Sequence, residues 1–312
     1  MELRQFEILI AISDHGSFSG AARALSTVQS NVSAHISRLE KELTTSLVDR
    51  SSGRLTEDGE LVVERARRVL NQVQDIAADV NSKDADVEGE TVLGCIGTTA
   101  RWLMPRLLPE LTSKFPKIRV TIVEGSTLNL IPRLTSGSLS AGIVHLPIED
   151  DNLQATPLFA EDLVLLVHAK HEWSKLEKIT IQELASRPLL LPPKNNSLRK
   201  ILDRAAGTQR LVLTPQAEID GVRLLTSLAF EGFGAAVVPA TAAPGWIKGE
   251  FKRIEIPELP RRVVGLVQRG RPLPNKSTSA VAAMIREVIE RTGDRQPGVH
   301  IGKGAFPLKR PS

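Results

Sequence analysis

The segment GSFSGAARALSTVQSNVSAHISRLEKEL, residues 16–43 of the 312-residue chain, decides how the amino-terminal part folds. Ser17 is placed to cap a short helix with an alanine-rich face, and a second helix follows after Ser26-Thr27. That second helix carries apolar residues on one stripe, at Val32, Ile36, Leu39 and Leu43. An earlier apolar stretch with helical spacing, residues 3–12, stops at His15-Gly16. Three short helices joined by tight turns predict a helix-turn-helix domain.

A hairpin and a long helix are expected next. Residues 47–50 and 54–56 flank a Ser-Ser-Gly turn and predict a compact wing, which completes a winged helix-turn-helix at residues 1–58. Thr56 is placed to cap the long helix, whose first turn is acidic, as the helix dipole favours. Its apolar residues follow a heptad pattern, which predicts a dimerising linker helix at residues 59–82. The seam positions are Val62, Ala66, Val69, Val73, Ile76 and Val80.

The remaining chain has the pattern of an α/β domain with two lobes. A polar stretch predicts a hinge at residues 83–90, and beyond it strands and helices alternate as βαβαβ, which indicates a parallel sheet. The pattern repeats from Leu163, and a strand at 263–268 with a helix at 277–291 is expected to close the second lobe. We therefore place an α/β domain at residues 91–292. The Pro/Gly-rich residues 293–312 are expected to form a tail without fixed structure.

Composition excludes several classes but does not by itself indicate a partner. The net charge is +4, yet residues 1–56 hold six basic and six acidic side chains, so bulk charge argues neither for nor against nucleic acid. Cys95 is the single cysteine, which excludes an intramolecular disulfide and a cysteine-clustered metal site. The apolar stretches are too short to span a bilayer, and we expect a cytoplasmic protein with no membrane partner, no metal and no cofactor.

The order and spacing of several motifs resemble the LysR-type transcriptional regulators over residues 2–292. The motifs that carry the resemblance are LRQF at 3–6, GSFSGAA at 16–22, Gln29 with Ser33, LEKEL at 39–43, Leu47 with Arg50, LTEDG at 55–59, LMP at 103–105 and GFG at 232–234. The resemblance implies a homodimer or homotetramer that binds double-stranded promoter DNA and responds to a small effector, with RNA polymerase left open as a further partner. It also implies an effector domain similar to type 2 periplasmic binding proteins, with lobe I at 91–162 plus 271–292 and lobe II at 163–270.

The outer face of the third helix supplies the candidate DNA-reading residues. Short polar side chains let a recognition helix enter the major groove, and Gln29 can pair bidentately with adenine. The full set comprises Gln29, Ser30, Asn31, Ser33, Ala34, His35 and Arg38, with Arg50 and Arg54 on the wing. The alternative is an ordinary solvated helix face.

Three departures from the family pattern affect this prediction. Val28 stands where the family usually has a capping serine, so Thr27 is expected to cap the helix and shift its start by one residue. Ala34 replaces a frequent basic residue. The wing is about two residues shorter than usual, which limits its reach into the minor groove.

Two strand-to-helix turns, at 97–100 and 125–127, supply the first candidate effector residues, because free amides and the helix dipole favour small anions there. His145 ends the third strand, and residues 193–197 and Phe233 are expected to face the same cleft from lobe II. The candidate effector residues are Thr98, Thr99, Ser126, Thr127, His145, Asn195, Asn196 and Phe233. For Thr98 and Ser126 simple helix capping is the alternative, and for His145 an ordinary strand-end histidine. We expect the effector to be a small carboxylate or an amino acid-like metabolite.

Two other classes of protein are disfavoured. An enzyme would carry a motif such as GxGxxG, a P-loop, GxSxG or HExxH, and none is present; a lone SxxK at 197–200 lacks its companion motifs. A solute-binding protein for transport would carry an export signal and lack the first ninety residues. A peroxide sensor, a variant within the regulator class, would need a redox-active cysteine pair that this chain does not have.

Overall fold

A computed structural model describes residues 1–81, 87–243, 245, 249–271, 273–302, 304 and 306. The chain divides into two compact units, Met1–Ala85 and Asp86–Ser312. The first half of the predicted hinge at 83–90, residues 83–86, lies outside the described residues. Within the described residues no helix is long and apolar enough to cross a membrane.

The first unit contains four helices and a short hairpin. The helices are α1 (Leu3–His15), α2 (Phe18–Ala24), α3 (Gln29–Leu43) and α4 (Glu57–Asn81). Gly16 ends α1 at φ +67°, a left-handed conformation that favours glycine, and the Ser17 hydroxyl caps α2 by accepting from the Gly20 amide at 3.0 Å. Buried side chains of α1, α3 and the wing form one core, which includes Ile8, Leu9, Ile12, Val32, Ile36, Leu39 and Leu47. The predicted winged helix-turn-helix is confirmed.

The wing is held tightly against the start of α4. Val48 pairs with Leu55 across the hairpin, and the Asp49 amide donates to the Arg54 carbonyl at 2.8 Å. The Thr56 hydroxyl caps α4 by accepting from the Gly59 amide at 3.0 Å, as predicted. A Cβ at Gly59 would lie 2.0 Å from the Leu47 carbonyl oxygen, so glycine is required where the helix meets the wing.

The second unit is built from two sheets with helices on their faces, which confirms the predicted two-lobed α/β architecture. Its elements are β1 (Gly89–Cys95), α5 (Gly97–Lys114), β2 (Ile118–Glu124), α6 (Thr127–Thr135), β3 (Ala141–Leu146), β4 (Leu153–Glu161), β5 (Leu163–His168), α7 (Ile181–Ala185), β6 (Leu189–Leu191), α8 (Ser197–Thr208), β7 (Pro215–Glu218), α9 (Val222–Phe230), β8 (Ala236–Pro239), β9 (Phe251–Glu255), β10 (Arg262–Arg269), α10 (Lys276–Thr292) and β11 (Val299–His300). Lobe I holds the sheet with strand order β11-β4-β10-β3-β1-β2, and lobe II holds β7-β6-β8-β5-β9.

The strand predicted to close lobe II belongs to lobe I instead. β10 lies antiparallel between β3 and β4, so the chain returns to lobe I between Glu255 and Arg262 rather than at residue 270. The error arose because β4 was not predicted. The first half of β4 is exposed from Gln154 to Pro157 and contains a proline, and such a segment is typical of a loop rather than a buried strand. Both sheets are mixed rather than purely parallel.

The first part of the predicted disordered tail is ordered. β11 pairs antiparallel with β4, with Val299 opposite Glu161 and His300 opposite Ala160. Val299 is buried and Ile301 packs on the core of lobe I. The Pro/Gly-rich composition of this segment concealed two apolar anchors that are enough to fix it. Residues 307–312 lie outside the described residues.

Candidate functional site

The outer face of α3 presents most of the predicted DNA-reading side chains to solvent. Helix α3 begins at Gln29, with Val28 at the capping position and no side-chain cap, so the predicted shift to a Thr27 cap is wrong. Instead the Thr27 hydroxyl accepts a hydrogen bond from the Asn31 side-chain amide at 3.0 Å. Exposed positions on this face include Gln29, Ser30, Asn31, Ala34 and Arg38, whereas Ser33 and His35 are half-buried.

Arg50 lies against α3 rather than projecting from the wing. Its guanidinium donates to the hydroxyls of Ser33 at 3.2 Å and Ser37 at 2.8 Å, and to Glu40 at 3.0 Å. The other Glu40 oxygen accepts from the backbone amides of Leu47 at 2.9 Å and Val48 at 3.2 Å. Glu40 therefore fixes both the first residues of the wing and the position of Arg50. Both arginines are exposed, Arg50 with 52% of its side-chain surface and Arg54 further along the wing.

Only the later part of the predicted α4 seam is free. Ala66 is buried and Val62 half-buried within the first unit, where the start of α4 packs on α1. Further along the helix, Val69, Val73 and Ile76 are exposed, and 65% of the Ile76 surface is accessible to solvent. The side chain of Val80 lies outside the described residues. Three exposed apolar side chains along one stripe of a helix are typical of a surface that packs against another helix.

Four helix N-termini meet around a cavity of about 380 Å³ between lobes I and II, here named the polar chamber. The first turns of α5 and α6 reach it from lobe I, and those of α8 and α9 from lobe II. Amide groups and positive dipole ends from four helices make this a region suited to an anion.

Arg262 is the buried cation of the polar chamber. Its Nη2 donates to the Thr98 hydroxyl at 3.0 Å, and its Nε donates to Glu161 at 2.9 Å. Glu161 is itself buried and accepts from the Thr241 hydroxyl at 2.5 Å. Within the described part of the chain, Nη1 of Arg262 has no hydrogen-bond partner, and the residue lines the chamber. An arginine held in place by a carboxylate therefore keeps one donor group available.

The structure brings four of the eight predicted effector residues into the polar chamber. Thr98, Ser126, Thr127 and Asn196 line it. Ser126 and Asn196 also cap α6 and α8, since their side chains accept from the amides of Asn129 at 3.3 Å and Leu198 at 2.9 Å. Capping and chamber lining are thus compatible roles.

The other predicted effector residues lie elsewhere. Thr99 is buried beside the chamber without lining it, and its hydroxyl has no partner within the described residues. Asn195 and Phe233 are exposed and outside the lining. His145 is nine-tenths buried at the end of β3 and faces a neighbouring cavity. Burial and the charge of Arg262 lower its pKa to about 3, so its ring is neutral near pH 7.

Four charged residues of the polar chamber were not predicted: Glu124, Asp220, Arg223 and Arg262. Arg223 of lobe II forms an ion pair with Glu124 of lobe I, with an N–O distance of 2.8 Å across the chamber. Glu124 ends β2, a position that the strand-end rule could have identified. Arg262 was missed because β10 had been assigned to the other lobe.

Within the described residues the possible metal ligands are scattered and the single cysteine is buried. No group of three or more His, Cys, Asp or Glu side chains is placed to hold a metal ion in the part of the chain described. Cys95 is fully buried in β1, and burial raises the pKa of its thiol. Because the thiolate is the reactive form, this thiol is poorly suited to redox chemistry.

Comparison with known proteins accounts for both units. Residues 3–60 match the family described as "Bacterial regulatory helix-turn-helix protein, lysR family", and residues 84–290 match "LysR substrate binding domain". The DNA-binding transcriptional dual regulator OxyR of Escherichia coli K12 is 31% identical over 291 residues, which cover 88% of this chain and 92% of that protein.

Two solved structures of full-length regulators share the fold. A variant of OxyR from Pseudomonas aeruginosa has a TM-score of 0.68 at 24% identity, covering 92% of this chain and 98% of that one. CbnR in complex with its target DNA has a TM-score of 0.70 at 20% identity, covering 94% and 100%.

These matches, which cover both units, define the chain as a bacterial transcription regulator. The chain belongs to the LysR family of these regulators, as its motifs predicted.

Proposed function

We propose that this regulator binds promoter DNA as a dimer through α3 and the wing, and that a small anionic metabolite in the polar chamber controls the binding. The observation that carries the effector proposal is the free Nη1 of Arg262, which lies where four helix N-termini meet. A carboxylate, including that of an amino acid, supplies the charge and the two acceptor oxygens that such a site favours.

The DNA-binding proposal rests on the exposed polar face of α3. Gln29 is free to pair with an adenine edge, and Ser30 and Asn31 stand beside it at the first turn. Arg50 and Arg54 are proposed to contact phosphate. The Arg50 side chain is 52% exposed, so it can contact phosphate while Ser33 and Ser37 hold it on α3.

Dimerisation is proposed through the exposed apolar residues of α4, with a further pairing of effector domains giving a tetramer. Two copies would then place two recognition helices on successive major grooves of an inverted repeat. Effector binding would change the distance between lobes I and II and shift the population of DNA-binding geometries through the segment before β1.

Peroxide sensing through a thiol is not proposed, although several relatives are named hydrogen peroxide-inducible genes activators. This chain has one cysteine, and that cysteine is buried with a raised pKa. A small molecule bound by hydrogen bonds and charge suits the residues of the chamber better.

The test uses the full chain. A thermal-shift screen of small carboxylates and amino acids should give hits that Ser126→Ala and Thr98→Val weaken about tenfold and that Asn195→Ala, outside the chamber, leaves unchanged. Each hit should also alter gel retardation of the genomic fragment upstream of the regulator's own gene. If no fragment is retarded at low ionic strength, with or without metabolites, the proposal of promoter binding fails.

A further inference from the structure

A second cavity of about 770 Å³, here named the apolar chamber, adjoins the polar chamber. Thr127 and Ser197, the first residues of α6 and α8, line both, so the two chambers share a wall at these helix starts. Its walls are the facing sides of the same helices. α6 contributes Leu128, Ile131 and Pro132, and α8 contributes Ile201 and Ala205. Small-molecule sites have this size and this mainly apolar lining.

One buried polar side chain is directed into the apolar chamber. His145 is 9% exposed, lines the cavity, and its ring nitrogens have no hydrogen-bond partner among the described residues. Its backbone amide donates to the Thr127 hydroxyl at 3.1 Å, which fixes the residue at the junction of the two chambers. These ring nitrogens can therefore pair with a polar group that enters the cavity.

Charge differs between the two chambers. The polar chamber has Arg262 and four helix starts, together with Glu124, Asp220 and Arg223, whereas the buried polar side chain of the apolar chamber is an uncharged imidazole. Lys200, Arg204 and Glu149 are exposed residues at the edge of the apolar chamber. A neutral imidazole offers one donor and one acceptor, which matches a hydroxyl or carbonyl group rather than a second anion.

We propose that the effector is an amphipathic anion that occupies both chambers, with its acidic group at Arg262 and an apolar body between α6 and α8. A neutral hydroxyl or carbonyl on that body would pair with His145. This inference rests on the proposed function, because it takes the polar chamber as the anion site. It goes further in assigning the ligand an apolar portion that a simple amino acid or short carboxylate lacks.

Leu128 makes the inference testable without disturbing the core. It is 51% exposed and lies in the first turn of α6, where an aspartate is compatible with the helix dipole. Leu128→Asp therefore places a like charge beside the ligand while leaving the fold intact. Ala205→Phe acts differently, since it fills the apolar chamber with a bulky side chain. Val212→Asp, 79% exposed and outside both chambers, is the matched control.

The probes are octanoate, acetate and 1-octanol, titrated calorimetrically into the full chain. We expect one octanoate per chain, bound at least about 50-fold more tightly than acetate, because each buried methylene adds to affinity. Leu128→Asp and Ala205→Phe should each weaken octanoate at least tenfold, and Val212→Asp should match the wild type. Octanoate binding no tighter than acetate, or unaffected by both chamber variants, overturns the inference.

The three probes separate the inference from the proposal beneath it. If acetate binds and octanoate binds no more tightly, the proposed anion site is supported and the apolar chamber is not part of the effector site. If 1-octanol binds as tightly as octanoate and both chamber variants weaken both probes, the apolar chamber binds ligand but Arg262 does not select an anion. In that second case the amphipathic anion is rejected together with the proposed anion site.

Discussion

Arg262 and Glu161 form a buried ion pair that joins the two places where the chain passes between lobes I and II. Glu161 ends β4, immediately before the first crossing, and Arg262 begins β10, immediately after the second. Nε and Nη2 of Arg262 both donate to one Glu161 oxygen, at 2.9 and 2.5 Å, and the side chains are 6% and 0% exposed. The same arginine contacts Thr98 in the polar chamber, so ligand binding and the connection between the lobes share one side chain.

Breaking this pair should destabilise the second unit strongly. Arg262→Met leaves the Glu161 carboxylate buried without its cation, a change that costs about 3–5 kcal/mol in comparable sites. Urea unfolding followed by tryptophan emission measures this loss of stability, because Trp102 and Trp173 lie in the second unit and the sequence of the first unit contains no tryptophan. The double variant Glu161→Leu with Arg262→Met should recover much of the loss. A loss below about 1 kcal/mol in the single variant would show that the pair is not structurally important.

The first turn of α3 should determine sequence preference. Gln29→Ala is expected to cost about 1–3 kcal/mol in binding to the operator and little on unrelated DNA, because only the operator has the adenine edge it reads. Arg54→Ala, on the exposed wing, should weaken binding to both DNAs alike, as loss of a phosphate contact does. Competition gel shifts measure both variants. Equal losses for Gln29→Ala on the two DNAs would remove Gln29 from base readout.

The exposed half of α4 should control assembly. Val73→Asp puts a charge on the seam and should raise the dimer dissociation constant at least about tenfold, since burying an unpaired charge is costly. Leu61→Asp is a matched control on the same helix, as Leu61 is exposed but lies off the seam. Sedimentation velocity across a concentration series gives the constant. Unchanged assembly in Val73→Asp would assign dimerisation to another surface.

Stability should fall in acid partly through His145. The pKa of an ordinary histidine is about 6.5, and burial with the nearby Arg262 charge lowers that of His145 to about 3 in the folded chain. Below pH 6.5 the unfolded chain therefore takes up a proton that the folded chain refuses, and stability present at pH 7 is lost progressively down to about pH 3.

The size of the His145 effect is bounded by one proton. Titration of His145 therefore changes the free energy of unfolding by at most about 1.4 kcal/mol per pH unit. Urea unfolding at pH 7 and pH 5, compared between wild type and His145→Gln, isolates it. The variant should lose about 1–2 kcal/mol less than the wild type between these pH values. The same loss in both proteins would show that His145 does not hold its neutral form in the folded chain.

Local patterns predicted the first unit well, and long-range pairing explains where prediction of the second failed. Capping by Ser17 and Thr56 and the apolar stripe of α3 depend on residues a few positions apart, and the structure reproduces them. The position of β10 depends on β4, which is more than one hundred residues earlier and whose first half is exposed. Strand order is set by pairing that no short window of sequence contains.

In the candidate site, too, residues set by local sequence were predicted and residues placed by long-range strand pairing were missed. Ser126 and Thr127 were found because they follow a strand in the sequence, and the ends of parallel strands meet at one edge of a sheet. Arg262 begins a strand whose neighbours come from distant parts of the chain, so its contact with Thr98 could not be inferred from spacing. Phe233 was expected to face the cleft from lobe II, and the structure leaves it exposed outside the polar chamber.

The short strand β11 has a practical consequence for shortening the chain. By pairing with β4 it occupies an edge of the lobe I sheet that would otherwise present unpaired amides and carbonyls. A chain truncated after residue 292, where α10 ends, would expose this side of the sheet. Exposed strands of this kind pair with strands of neighbouring molecules and cause aggregation. Crystallographers and screeners who trim this regulator should keep residues 293–302 if they want a well-behaved sample.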